Sequence, residues 1–171
     1  MRHVETWEAI RSRRNVRQYA ITGEHLDRIL EAGRRAPSSQ NWQPWDFVVV
    51  TDRGRLKELA KVWQGAGHVA SSAATIALVA PIPEDEHRRR WVQYDLGQAT
   101  MSIMLAATDL GISSGHASVA DQRLARQILG LPEDRFRAYL IALGYPAGRP
   151  LTPIERPDRR PFEDVVHRNH W

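Results

Sequence analysis

The 171-residue chain contains no cysteine. Disulfides, zinc–thiolate sites, iron–sulfur clusters and thiol catalysis are excluded together, so any redox chemistry has to come from a bound cofactor. Lysine is nearly absent as well: only Lys57 and Lys61 occur among the 24 Lys and Arg residues, which leaves 22 arginines and a net charge of +4. Anions will therefore meet guanidinium, a planar fork that is always protonated. Long apolar runs are also missing. Stretches such as Ala73 to Pro83 fall short of the roughly 20 residues a membrane helix needs, and Met1 to Arg14 has no run of signal-peptide length. No membrane span and a cytoplasmic location are expected. With 42% hydrophobic residues, the chain can build one real core over 1–171, but it is short for a nucleotide domain joined to a separate substrate domain.

Hydrophobic spacing and turn residues divide the chain. Val4, Trp7 and Ile10 predict a short helix over 3–12, and Thr22 is placed to cap a second one carrying Leu26, Ile29, Leu30 and Gly33 up to Ala36-Pro37. After the loop 37–41, the β-branched run 46–51 predicts a strand buried on both faces. Asp52 and Gly54 open a helix through Leu56, Leu59 and Val62, and 74–80 is a second buried strand stopped by Pro81-Ile82-Pro83. A charged patch, 84–90, precedes a long helix over 91–110 rich in small residues (Gly97, Ala99, Ser102, Ala106, Ala107), which suit close approach by another helix. A polar loop to Ser118, a helix through Leu124, Ile128 and Leu129 stopped by Gly130 and Pro132, a strand over 137–143, a Pro- and Arg-rich tail and a last helical turn over 162–168 complete the pattern. Helices and strands interleave without strict βαβ order, so the expected class is α+β.

Two stretches carry chemistry. In 11–17 (Arg-Ser-Arg-Arg-Asn-Val-Arg), alternating arginines can grip a phosphate and its neighbouring hydroxyls in a bidentate way; the plainer reading is a solvated basic helix end. In 36–45 (Ala-Pro-Ser-Ser-Gln-Asn-Trp-Gln-Pro-Trp), prolines stiffen the backbone, serines and amides offer directed donors and acceptors, and two tryptophans give flat walls, the lining a planar heteroaromatic ligand needs. The plainer reading there is a loop stapled to the core by its tryptophans.

Together, Arg13-Arg14-Asn15-Val16-Arg17, Ala36 to Trp45 followed by Phe47 to Val50, Asp95 to Ala99 leading into Ala106 to Gly111, Ala142 to Pro146, and Arg159 to Val166 resemble the FMN-dependent nitroreductase family over nearly the whole chain. The resemblance implies a mixed, mostly antiparallel central sheet flanked by helices in an intertwined homodimer, with FMN at the subunit interface. It implies that Arg13, Arg14, Asn15 and Arg17 hold the FMN phosphate and ribityl chain. Arg17 would also reach the N1/O2 edge of the ring, where a cation favours the reduced anion. Pro37, Ser38, Ser39 and Asn41 would contact the flavin from the partner subunit, Gly115, His116, Ala117 and Ser118 would lie along its ring, and Arg159 and Arg160 would close the phosphate site. NADH or NADPH would deliver hydride to flavin N5, and a nitroaromatic, quinone or similar small acceptor would then collect it. The flavin does the chemistry, so no catalytic side chain is expected, with His116 the one candidate.

Two departures stand out. Asn15 replaces the family's usual serine, and only Pro81 to Arg90 connects the second buried strand to the long helix, where longer relatives insert helices that roof the active site. Same-fold alternatives (reductive dehalogenation, fragmentation of the flavin, FMN sequestration without turnover) remain open at this level. Nucleic acid is not expected as a partner, because the arginines gather at the chain ends and no recognition motif accompanies them. No metal is expected either: His167 and His170 lack a carboxylate–histidine cluster. Arg88-Arg89-Arg90 could attract the phosphates of NADPH, but a solvated helix start is the favoured reading.

Overall fold

The structure, a computed structural model, describes residues 6–7, 11, 19–20, 25–146, 151–154 and 156–171. Its centre is β3 (Ala74–Pro81), buried from Ala74 through Ala80. A strand so apolar on both faces needs neighbours on both edges, and β2 (Asp46–Val50) and β5 (Arg135–Pro146) supply them. The far edge of β5 pairs first with β4 (Ser113–Ser118) and then, at its C-terminal end, with the two-residue β1 (Tyr19–Ala20). All four pairings among the described residues are antiparallel, within the mostly antiparallel sheet that the resemblance implies.

Helices cover both faces. On one, α1 (Leu26–Arg34) and α3 (Glu86–Asp109) pack Ile29, Leu96, Ala99 and Ile103 against Ile76, Leu78, Ile141 and Leu143. On the other, α2 (Arg53–Leu59), the 3-10 segment Gln64–Ser71 and α4 (Gln122–Leu129) enclose Ala77, Leu140 and Ala142. Three helices start on the same device: the carboxylates of Asp52, Asp85 and Asp121 accept the backbone N–H of Arg55, Arg88 and Leu124 at 2.8, 2.7 and 2.8 Å. Gly130, at φ 66°, ends α4 in the left-handed conformation. Close helix approach is real at Gly33 of α1, where a Cβ would stand 2.8 Å from both Cγ1 and Cδ1 of Ile103. Gly97, by contrast, faces open space. No helix among the described residues is long and apolar enough to cross a membrane.

Several expectations are corrected. The polar loop before Ser118 is β4: its Ser-Ser-Gly-His-Ala-Ser sequence has no strand pattern, but pairing with β5 imposes one. The run 46–51 is not buried on both faces: Asp46 is exposed, Phe47 to Val49 are only partly covered by the packed helices, and within β2 only Val50 is buried. The long helix begins at Glu86, capped by Asp85, so most of the charged patch is its first turn. α2 stops at Leu59, before Val62, and β5 extends beyond 137–143 at both ends. The final turn is a 3-10 segment, Phe162–Asp164, shorter than 162–168. Most of the helix expected over 3–12, and Thr22, lie outside the described residues.

Candidate functional site

Ala36 to Trp45 join α1 to β2. Ala36, Pro44 and Trp45 are buried and the residues between them are wholly or partly exposed. Trp42 does not staple the loop, since it stays 38% exposed. Gln40, Asn41 and Gln43 have φ of 52°, 57° and 53°. Each such non-glycine residue costs about 1 kcal/mol or more, so something must hold them there.

Polar contacts do so. The Ser38 hydroxyl oxygen accepts the Gln43 N–H at 2.9 Å, and Gln43 Nε2 donates to Asn41 Oδ1 at 3.1 Å. The Ser39 N–H donates to both carboxylate oxygens of Asp95 at 3.0 Å, and its hydroxyl donates to Oδ1 at 3.0 Å. Asp95, on α3, is completely buried, and Gln98 Nε2 stands 3.4 Å from the same oxygen. No arginine or lysine among the described residues pairs with this carboxylate, and the hydrogen bonds from Ser39 compensate its desolvation.

The four loop residues expected to touch a cofactor thus divide. Ser39 is the anchor, with its N–H and hydroxyl committed to Asp95. Pro37, the hydroxyl proton of Ser38 and the amide nitrogen of Asn41 remain available to a ligand. Asp95 is not evident as an anchor from sequence alone. The available signal is its place in a buried stripe, three residues after Val92 and four before Ala99.

β4 carries the second expected group. Gly115 and Ala117 are buried, and Ala117 packs into the core beneath α2 and α4. His116 is exposed and shares the α3 face of the strand with Ser114, whose buried hydroxyl has no hydrogen-bond partner among the described residues. Ser118 is exposed, and no strand borders the outer edge of β4 among the described residues. The outer edge of β4, beside the exposed His116 and Ser118, is open to the polar edge of a planar ligand.

Of the arginine-rich set, Arg13, Arg14, Asn15 and Arg17 lie outside the described residues. Described residues on either side of them make two contacts. The Ile154 N–H donates to the Arg11 carbonyl at 3.3 Å, and β1 pairs with the end of β5, so the two ends of the chain meet. Arg160 donates to the Asp164 carbonyl at 2.8 Å and Arg159 to that of Asp158. Neither is neutralised by a carboxylate among the described residues, and both are exposed. Both guanidinium groups keep further N–H donors of the kind that meet a phosphate. His167 stacks on Trp171, with ring centroids 4.2 Å apart. One perturbed carboxylate lies at the end of α1 that leads into the loop: Glu31, hydrogen-bonded by Arg34 and then Arg35, is pulled down from 4.5 to about 2.

Beside the loop, Gln40 and Trp42 face Pro81, Ile82, Pro83, Glu84 and Arg88 across an open cleft of about 450 Å³. The short connection between β3 and α3 thus forms a wall of this cleft.

A model of the nitroreductase family matches residues 10–71 and 61–145. A protein of Archaeoglobus fulgidus, named as a candidate NADH dehydrogenase/NAD(P)H nitroreductase, is 34% identical over an alignment of 175 positions that covers 98% of this chain and 99% of that one. Among solved structures, a similarly named protein of Bacteroides thetaiotaomicron superposes with a TM-score of 0.82 at 28% identity, covering 97% of this chain and 98% of its own. The NADPH:FMN oxidoreductase of Vibrio harveyi, solved with NAD+, superposes with a TM-score of 0.85 at 26% identity over 97% of this chain and 77% of its own.

Proposed function

Because the chain belongs to the nitroreductase family, we propose that it is an FMN-dependent NAD(P)H oxidoreductase acting by ping-pong transfer on a nitroaromatic, quinone or similar small electrophile. The whole of 1–171 would form one FMN-binding domain, working in the cytoplasm. The observation that carries this reading is the loop 37–43, in which a buried carboxylate anchors Ser39 beside three strained residues and polar edges of Ser38 and Asn41 face outward. Preorganised donors of this kind bind a ring without a further ordering cost.

When bound, FMN supplies the redox chemistry, receiving hydride from the nicotinamide and handing reducing equivalents to the acceptor. The protein binds and orients. Arg13, Arg14, Asn15 and Arg17, with Arg159 and Arg160, would hold the phosphate and ribityl chain, and the meeting of the two chain ends supports that grouping. Arg17 would also place its cation at the N1/O2 edge. Gly115, His116, Ala117 and Ser118 would border the ring, Gly115 and Ala117 through their backbone and His116 and Ser118 through their exposed side chains. Pro37, Ser38, Ser39 and Asn41 would reach the flavin of a second copy, Ser39 by fixing its neighbours.

A homodimer is part of the reading. Residues 156–171 are exposed throughout, and Phe162, Val165, Val166 and Trp171 all present apolar surface. Tyr94 and Met101 are also exposed, one turn either side of Gly97 on α3. Apolar area on an arm and on a helix face is what a partner subunit covers.

The test is a visible spectrum of purified protein supplied with FMN, before and after anaerobic NADH or NADPH. Bound-flavin bands that bleach with a nicotinamide and return with a quinone or nitroaromatic are expected. Protein that takes up no flavin, or whose flavin neither nicotinamide bleaches, overturns the proposal.

A further inference from the structure

The sequence sets Arg88, Arg89 and Arg90 in a row, and the fold separates them. Arg89 and Arg90 both turn to Glu86, at 3.4 and 3.6 Å, as exposed ion pairs within one helical turn. Arg88 turns the other way. Its guanidinium carbon lies over the Trp42 ring at 5.0 Å from the centroid and over the Trp91 ring at 5.2 Å. It is half-buried, and no carboxylate among the described residues pairs with it.

Stacking on indoles uses the faces of a guanidinium, whereas its five N–H bonds lie in its plane. Arg88 is therefore held in place while its donors stay unspent, and it lines the cleft beside the loop 36–45. Pro81, Ile82 and Pro83 form the apolar wall, Trp42 offers a flat face, and Gln40 is polar. The other charge on the lining is Glu84, which disfavours an anion at its own position and so restricts one to Arg88. About 450 Å³ accommodates an aromatic ring with one substituent.

We propose that Arg88 is the anion-recognition residue of the substrate cleft, binding the oxyanion of a flat ligand whose ring lies against Trp42 and the Pro81–Pro83 wall. The inference rests on the reading of the loop 36–45 as one side of a flavin site. Two ligands share the required chemistry: a carboxylated aromatic acceptor, and the 2′-phosphate of NADPH.

The FMN-loaded protein, Arg88→Gln and Arg88→Lys are compared on two pairs of substrates, 4-nitrobenzoate against nitrobenzene and NADPH against NADH. In at least one pair Arg88→Gln lowers the anionic-to-neutral ratio of kcat/KM by about 10- to 100-fold, through KM, as loss of a charge-assisted bidentate contact requires. Arg88→Lys, which keeps the charge without the planar fork, recovers part of the ratio. Loss confined to the nitrobenzoate pair assigns the acceptor, and loss confined to the nicotinamide pair assigns the phosphate. Calorimetric affinities for 4-nitrobenzoate, NADP+ and NAD+ read the same selectivity without turnover, so a protein inactive with nicotinamides still tests Arg88. Failure to hold or reduce flavin counts against the proposed function. Ratios and affinities that stay within twofold in both pairs, with flavin bound normally, overturn the role of Arg88.

Discussion

Substituting Asp95 tests whether a buried carboxylate shapes the cofactor loop. Asp95 receives the Ser39 N–H on both oxygens and the Ser39 hydroxyl on one, all at 3.0 Å. Each hydrogen bond to a charged group is worth about 1.5–3 kcal/mol. Asp95→Asn keeps a single acceptor oxygen and turns an NH₂ toward Ser39, so one bond is lost and a donor faces a donor. The neutral amide escapes the desolvation cost of a buried carboxylate, which offsets part of the loss. A net destabilisation of about 2 kcal/mol follows, and Asp95→Ala, which strands the Ser39 donors, should cost about 3–5 kcal/mol. Ser39→Ala removes only the hydroxyl and should cost about 1–2 kcal/mol. Because both changes act on one contact, the Asp95→Asn/Ser39→Ala double variant should fall short of the sum by about 1 kcal/mol. Urea unfolding reads these values, and fluorescence titration reads FMN affinity, which should weaken about tenfold or more as Gln40, Asn41 and Gln43 relax from their left-handed conformations. An Asp95→Asn protein within about 0.5 kcal/mol of wild type, a change that surface positions commonly show, and with unaltered FMN affinity would refute the reasoning.

Further outcomes follow from packing and charge. Gly33→Ala gains helix propensity of about 1 kcal/mol but drives a methyl into Ile103, whose branched side chain is fully buried, so thermal unfolding should show net destabilisation of about 1–2 kcal/mol. Ile103→Ala removes both clashing atoms, Cγ1 and Cδ1, and should make the added Gly33→Ala less costly; equal cost in both backgrounds would refute the contact. Gly130→Ala places a Cβ in the left-handed region at the end of α4 and should lower stability by about 1 kcal/mol in urea titrations. The Glu31 carboxyl is held near 2 in the folded chain against an ordinary 4.5. Its stabilising contribution is therefore complete above about 4.5 and disappears as pH falls through about 2. Thermal midpoints of wild type and Glu31→Gln should differ at neutral pH and converge on acidification; a gap that does not narrow between neutral pH and pH 2 would count against the Arg34 and Arg35 contacts.

Much of the fold is legible because residues act locally. Asp52 caps α2, Gly130 stops α4, and the apolar run of β3 announces a central strand. β4 is illegible for the opposite reason: Ser113 to Ser118 form a strand only because β5 offers an edge. At the candidate site, the loop 36–45 is conspicuous from composition. Its anchor is not, since Asp95 meets Ser39 only after α3 packs beside the loop. Likewise nothing local separates Arg88 from Arg89 and Arg90. The difference depends on Trp42, remote in sequence, arriving beside the first turn of α3.

The meeting of Arg11 with Ile154, together with the β1–β5 pairing, bears on the order of events in biosynthesis. In the proposed grouping, the arginines that would hold the phosphate come from before β1 and from after β5. The sheet can assemble once β5 has emerged, but the phosphate grip waits for the tail that carries Arg159 and Arg160. On this reading, flavin uptake follows assembly of the sheet and requires the segment that carries Arg159 and Arg160. On the proposed grouping, a product cut short before Ile154 would keep every described strand of the sheet and would hold FMN less tightly.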